Sequence, residues 1–129
     1  MKKTYSGQCH CGAIRFEVSA DLEVEKVLDC NCSICRRKGF LHLIVAPEDF
    51  ELITGLSHIR EYRFNTMQAV HKFCEVCGVH PFYSPRSHPG MVDINLNCLD
   101  GVTREDVEIE FFDGSRWEES ASEKGFEGK

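Results

Sequence analysis

The stretch Asp29-Cys30-Asn31-Cys32-Ser33-Ile34-Cys35 places three thiols within six residues. If Cys30 and Cys32 lie on a locally extended segment, their side chains share one face, because side chains alternate along a strand. A turn at Ser33 and Ile34 can then bring Cys35 back towards them. The spacing therefore predicts that three sulfurs converge on one point.

Three converging thiols are a ligand set for zinc with one coordination position left over. An open fourth position distinguishes zinc sites that perform chemistry from sites that only hold a fold. We therefore predict that Cys30, Cys32 and Cys35 form the working site. A fourth ligand, Cys98 or a histidine, would instead close the site and make it structural, and the sequence leaves this alternative open.

A dense basic run, Arg36-Arg37-Lys38, follows the three thiols directly. Charge runs of this length are often solvated turns. Beside three thiolates, however, these cations can offset negative charge, lower the thiol pKa values or receive an anionic ligand.

Two further cysteine pairs carry the spacing of metal ligands. Cys74-x-x-Cys77 is followed by Gly78, as in zinc knuckles, where glycine permits the positive φ of a tight turn. Cys9-x-Cys11, also followed by glycine, is the natural partner for a four-thiolate site. Spacing alone does not decide how the three clusters combine. His10, His80 and Cys98 are weaker candidates, Cys98 being most simply a buried small apolar residue.

The composition restricts the class of protein. A chain of 129 residues fits one domain, predicted over residues 1–118, with a polar C-terminal tail over residues 119–129. The net charge of -6 disfavours a nucleic-acid surface, and no apolar run is long enough to cross a membrane. Grouped cysteines without a secretory signal indicate metal ligands in a reduced, cytoplasmic protein rather than disulfides.

The hydrophobic pattern indicates strands through most of the chain, because apolar and polar residues alternate or form short apolar runs. The segment over residues 22–29 fits neither strand nor helix clearly. Helix is nearly absent from the prediction, and residues 120–129 are expected to fray. The expected strands cover residues 5–20 with a turn at Gly12, then 40–46, 50–54, 58–64, 69–74, 79–84, 91–97 and 106–112.

The cysteine motifs resemble, in order, those of the glutathione-dependent formaldehyde-activating enzyme family, which also includes centromere protein V. The likeness extends from about Tyr5 to Phe112. It rests on three segments, Gly7-Gln8-Cys9-His10-Cys11-Gly12-Ala13, Asp29-Cys30-Asn31-Cys32-Ser33-Ile34-Cys35-Arg36 and Phe73-Cys74-Glu75-Val76-Cys77-Gly78. The resemblance implies a single-domain, all-β, mainly antiparallel fold of the β-tent (Mss4-like) type.

The resemblance also implies two zinc ions. The structural site would use the first and third motifs, and the catalytic site would use the second. The ligands are Cys9, Cys11, Cys74 and Cys77 in the structural site and Cys30, Cys32 and Cys35 in the catalytic site.

The family reaction joins glutathione to formaldehyde, so the resemblance implies a zinc-dependent carbon-sulfur lyase or glutathione-adduct enzyme acting on a small thiol. Arg36, Arg37 and Lys38 are candidates to bind the carboxylates of glutathione. The alternative is a non-catalytic, zinc-stabilised binding module like centromere protein V. We expect neither a nucleic-acid partner nor a membrane.

Overall fold

Ten β-strands form two sheets in the computed structural model, which describes residues 1–125. The strands in chain order are β1 (Lys3–Gln8), β2 (Arg15–Ala20), β3 (Lys26–Cys30), β4 (Leu41–Val45), β5 (Phe50–Thr54), β6 (Ile59–Tyr62), β7 (Val70–Cys74), β8 (Phe82–Ser84), β9 (Val92–Asn95) and β10 (Glu108–Phe112). The smaller sheet has the order β1-β2-β5 and the larger one the order β10-β3-β4-β9-β8-β7-β6. All neighbouring strands run antiparallel except β10 and β3, which confirms the prediction of an all-β, mainly antiparallel fold.

The core lies between the two sheets. In β2 every second side chain is buried, as the alternating sequence predicts. Phe16 of β2 contacts Phe50 of β5 and Phe82 of β8, with ring centroids 5.8 and 5.5 Å away. Because Phe82 belongs to the larger sheet, this aromatic cluster joins the two layers. Each such side chain contributes on the order of 2–3 kcal/mol by burial.

The one parallel pair decides where the functional region lies. β3 occupies the end of the ambiguous segment at residues 22–29, and β10 runs beside it in the same direction, with Phe112 opposite Cys30. Two parallel strands deliver their following segments to the same edge of a sheet. The cysteine loop after β3 therefore meets the segment after β10.

Two α-helices are present in residues 1–125, α1 (Cys35–Lys38) and α2 (Trp117–Lys124). Neither has the length and apolar composition needed to cross a membrane. Short 3-10 turns cover Pro47–Asp49, Leu56–His58, Leu96–Cys98, Arg104–Asp106 and Gly114–Arg116.

Helix α2 corrects the expectation that the chain frays from residue 120. Trp117 and Ala121 lie on one helix face, four residues apart, and both pack against a cluster around Cys30 and Cys35. The helix ends at Gly125, which adopts the left-handed conformation at φ 72°. The polar composition hid this helix because a single tryptophan anchors it. The boundary predicted between residues 118 and 119 falls inside α2, and residues 126–129 of the predicted tail lie outside the described residues.

Candidate metal centres

Four cysteines from distant parts of the chain meet at one point. Cys9 and Cys11 follow β1, Cys74 ends β7 and Cys77 lies in the next turn, and their Sγ atoms all lie within 4.8 Å of one another. Cys11 Sγ is 3.7 Å from the Sγ atoms of Cys9 and Cys74. A tetrahedron with zinc–sulfur bonds of about 2.3 Å has edges of about 3.8 Å. The four thiols can therefore bind a zinc ion.

Local backbone geometry turns these thiols towards one another. Gly12 and Gly78 adopt φ values of 80° and 78°, which a residue with a side chain rarely reaches. The backbone N–H of Ile14 donates to Cys9 Sγ and that of Val76 to Cys74 Sγ, each at 3.4 Å. These donors stabilise negative charge on sulfur. The cluster ties the smaller sheet to the larger one.

Cys98 belongs to neither cluster of described residues. Burial raises the pKa of its thiol to about 12, with further contributions from Cys9 and Cys77, so Cys98 is a neutral thiol beside the four-cysteine cluster. His10 and His80 also stay outside both clusters. The structure therefore brings none of the three sequence candidates to the remaining cysteines as a fourth ligand.

Cys30, Cys32 and Cys35 form the second cluster, with all three Sγ atoms within 4.8 Å of one another. Cys30 ends β3 and Cys35 begins α1. Between them the chain turns, and the Arg36 N–H donates to the Cys32 carbonyl at 3.1 Å. The Cys32 N–H donates to Cys30 Sγ at 3.5 Å, and the Cys35 N–H donates to Cys32 Sγ at 3.4 Å. The loop thus folds as a three-thiol ligand set.

The three thiols cannot all ionise without a cation. Hydrogen bonds from Cys30 and Cys35 lower the pKa of the Cys32 thiol to about 2. The bond to Cys32 raises the pKa of Cys30 to about 12, and bonds to both neighbours raise that of Cys35 well above its usual range. A divalent cation would supply the charge that three thiolates need, since a coordinated thiol is deprotonated outright. The donor set therefore fits zinc.

Gly114 packs directly against this cluster. A Cβ atom on Gly114 would lie 2.3 Å from Cys30 Sγ and 2.8 Å from Cys32 Cβ. The contact is held by hydrogen bonds between the two segments: the Ser115 N–H donates to Asn31 Oδ1 at 3.0 Å, and the Asn31 N–H donates to the Phe112 carbonyl at 3.3 Å. Gly114 was missed in the sequence because no local pattern marks it.

The three-cysteine cluster faces a cavity of about 590 Å³. Its wall also contains a buried polar group formed by His42 of β4, Asp93 of β9 and Tyr83 of β8. His42 Nδ1 lies 2.7 Å from Asp93 Oδ2 and 3.3 Å from the Tyr83 hydroxyl. Burial raises the pKa of Tyr83 well above its usual value, so the phenol stays protonated.

Two atoms of this polar group have no hydrogen-bond partner among the described residues. They are His42 Nε2 and Asp93 Oδ1, and Asp93 is only 1% exposed. Sequence reasoning missed both residues, although His42 interrupts an otherwise apolar strand and Asp93 lies between two apolar residues of β9. A polar residue at a buried strand position was the signal that could have found them.

The three residues of the basic run lie in different surroundings. Arg36 lines the cavity, whereas Arg37 is exposed and donates to the Ser33 carbonyl at 2.7 Å. Lys38 turns inwards, with Nζ 3.2 Å from His71 Nδ1 and above the Tyr83 ring.

Burial changes the protonation of this inner pair. It lowers the pKa of Lys38, and burial followed by the nearby Lys38 charge lowers the pKa of His71 to about 4. At neutral pH His71 is therefore uncharged, and its Nδ1 can accept a hydrogen bond from Lys38 Nζ.

We expect the four-cysteine cluster to stabilise the fold and the three-cysteine cluster to be needed only for binding a second metal ion. Cys74→Ser should yield an unstable or insoluble chain, because structural zinc contributes on the order of 10–16 kcal/mol, which matches or exceeds a typical domain's net stability. Cys32→Ser should fold and lose one metal ion. Thermal unfolding with zinc content per chain tests this, and equal melting temperatures of the two variants would contradict it.

Gly114→Ala should disturb the three-cysteine cluster alone. Its Cβ atom cannot coexist with Cys30 Sγ at 2.3 Å, so the thiol must move. Elemental analysis should find about one zinc ion fewer per chain, with the four-cysteine site still loaded. Ser115→Ala is the matched control, since the Ser115 contact with Asn31 uses only the backbone N–H. Full zinc content in Gly114→Ala would show that the contact is not needed.

Comparison with known proteins agrees with this architecture. The profile of the family described as glutathione-dependent formaldehyde-activating enzyme matches residues 4–115. A crystal structure of a Rhodobacter sphaeroides protein is similar, with a TM-score of 0.73 and 32% sequence identity, covering 81% of this chain and 99% of that one. The fold expected from the cysteine motifs is thereby confirmed. The chain belongs to the glutathione-dependent formaldehyde-activating enzyme family.

Proposed function

We propose that this protein is a zinc-dependent carbon-sulfur lyase that makes or breaks the adduct of a small thiol, with glutathione the first candidate, and an aldehyde such as formaldehyde. One observation carries the proposal. Three thiols converge beside a cavity of about 590 Å³, and no fourth ligand from residues 1–125 joins them. A site that only stabilised the fold would use four protein ligands, as the other cluster does.

Each part of the chain has a task in this proposal. A bound zinc ion would favour the thiolate form of a substrate thiol or polarise a carbonyl. Cys30, Cys32 and Cys35 hold that ion, and the backbone N–H groups of Cys32 and Cys35 orient two of their sulfurs. Phe112 and Trp117 pack against the cluster and shield one side of it from water.

His42 is suited to move the proton. Adduct formation breaks the S–H bond, forms a C–S bond and leaves the carbonyl electron pair on oxygen, which takes up a proton. His42 Nε2 is buried and unpaired among described residues. In this proposal the cavity wall opens at Nε2 when the substrate binds, and Nε2 accepts the thiol proton and then returns it to that oxygen. Asp93 fixes the ring through Nδ1, the orientation that leaves Nε2 as the acceptor.

The second candidate function, a non-catalytic binding module, accounts less well for the cavity. Burying a carboxylate and an imidazole with unpaired atoms is unfavourable, by roughly 1–3 kcal/mol for each unsatisfied group. A module stabilised by its four-cysteine site has no need of them. A chromosomal role would also call for a basic surface, whereas this chain carries a net charge of -6.

Thiol coordination can be measured directly. In protein with cobalt(II) in place of zinc, glutathione should alter the thiolate-to-metal absorption bands, whereas S-methylglutathione should not. The control is Cys32→Ser, which removes one ligand of the three-cysteine cluster. In this variant neither ligand should alter the absorption bands. Equal binding of glutathione and S-methylglutathione, or no binding at millimolar concentration, would favour the binding module.

The proton transfer role predicts a loss of turnover without a loss of binding. Asp93→Asn preserves shape but removes the carboxylate that orients His42, so turnover should fall by about 100-fold or more. The rate is the equilibration of glutathione, formaldehyde and their adduct, followed by magnetisation-transfer NMR. The matched control is Asp49→Asn, which removes a carboxylate paired with Lys2. An unchanged rate in a folded Asp93→Asn protein would exclude this role for His42.

A further inference from the structure

A cation that the sequence did not single out lies in the cavity wall. Arg86, in the segment after β8, places its guanidinium carbon 3.7 Å from the centre of the Trp117 ring. Both side chains line the same cavity as the three cysteines. Stacking on an aromatic face holds a guanidinium in one plane, so less side-chain entropy is lost when it binds a ligand.

The stacking partner connects this cation to the metal ligands. Trp117 packs against the buried cluster that contains Cys30 and Cys35. Because Arg86, Trp117 and the three cysteines line one cavity, a ligand that fills it could contact both the guanidinium and the cysteines.

The hydrogen-bonding capacity of Arg86 is incompletely used. Its Nε is buried and has no partner among the described residues, although a buried charged donor normally has one. Its Nη2 pairs with Glu118, whose side chain is 74% exposed. An ion pair whose acidic partner is this exposed contributes about 0–1 kcal/mol to stability. A carboxylate inside the cavity could displace Glu118 readily.

We propose that Arg86, stacked on Trp117, is a specificity-determining residue that binds a carboxylate of the thiol substrate. This inference depends on the proposed function only for the binding of the ligand's sulfur at the three-cysteine site. The planar guanidinium can donate two parallel hydrogen bonds to a carboxylate. Arg86 thereby joins Arg36, Arg37 and Lys38, the residues that the sequence suggested as candidates to bind a carboxylate.

The charge of the molecule gives this cation added importance. With a net charge of -6, the protein as a whole repels an anionic ligand. Asp93 adds a buried carboxylate to the same wall. An anionic thiol therefore needs a local cation in the cavity, and Arg86 is only 14% exposed there, so water screens its charge weakly.

Three ligands test the thiol contact and the carboxylate contact independently. Glutathione carries both a thiol and carboxylates, S-methylglutathione lacks the thiol, and glutathione diethyl ester lacks the carboxylates. Binding is followed by the fluorescence of Trp117, the one tryptophan of the chain, and by the cobalt absorption bands. The variants are Arg86→Met, which keeps an apolar contact with the ring, and Arg104→Met as the matched control, since Arg104 lies in a turn outside the cavity lining.

Arg86→Met should weaken the binding of glutathione by about 10- to 100-fold, the range expected for a charged hydrogen bond. The binding of the diethyl ester should stay unchanged. Arg104→Met should change the binding of neither ligand. Glu118→Gln should raise the affinity for glutathione several-fold, because it removes the carboxylate that competes for Arg86. Unchanged glutathione binding in Arg86→Met, or an equal loss for the ester, overturns this role of Arg86.

The two proposals fail in different ways. If the diethyl ester leaves the cobalt bands of the native protein unchanged, the proposed thiol site fails. Binding of S-methylglutathione that weakens in Arg86→Met would still support carboxylate binding by Arg86 in that case. Binding of S-methylglutathione that is the same in both proteins would count against it.

Discussion

Sulfur atoms held 3.7 Å apart, together with the need for a cation between them, are the constraint on which this structure depends. Neighbouring thiols at that distance oppose one another's ionisation, and a divalent cation removes the opposition. The four-cysteine cluster applies this constraint across the fold, because its ligands come from the ends of β1 and β7, which belong to different sheets. The free energy of metal binding at this cluster would therefore contribute to the folding of the whole molecule.

The three-cysteine cluster uses the same chemistry over a short range and depends on a different support. Its loop spans six residues, so closing it does little to join distant elements. Its position is set by the parallel pairing of β3 with β10, which brings Gly114 against Cys30. Absence of a side chain at Gly114 matters as much as presence of the thiols, since any Cβ atom would occupy the position of a sulfur.

Short-range features were predictable from the sequence, and long-range pairs were not. Spacing identified the cysteine clusters and alternation identified the strands, because both signals lie within a few residues. The contact of His42 with Asp93 joins residues 51 positions apart, and that of Ser115 with Asn31 spans 84. Such contacts depend on strand order and register, which periodicity does not contain. Helix α2 was missed for a related reason, since its one apolar anchor has a partner only in the folded protein.

Most of the buried side-chain atoms that lack a hydrogen-bond partner among the described residues lie in the wall of the cavity beside the three cysteines. At the four-cysteine cluster, sulfurs meet backbone donors and one another. Four buried side-chain atoms lack partners among the described residues. Three of them, His42 Nε2, Asp93 Oδ1 and Arg86 Nε, lie in the cavity wall, and the fourth, His80 Nδ1, lies outside it. Each such group is unfavourable for stability by roughly 1–3 kcal/mol. Three of them around one cavity are better explained by a ligand that supplies the missing partners than by the requirements of folding.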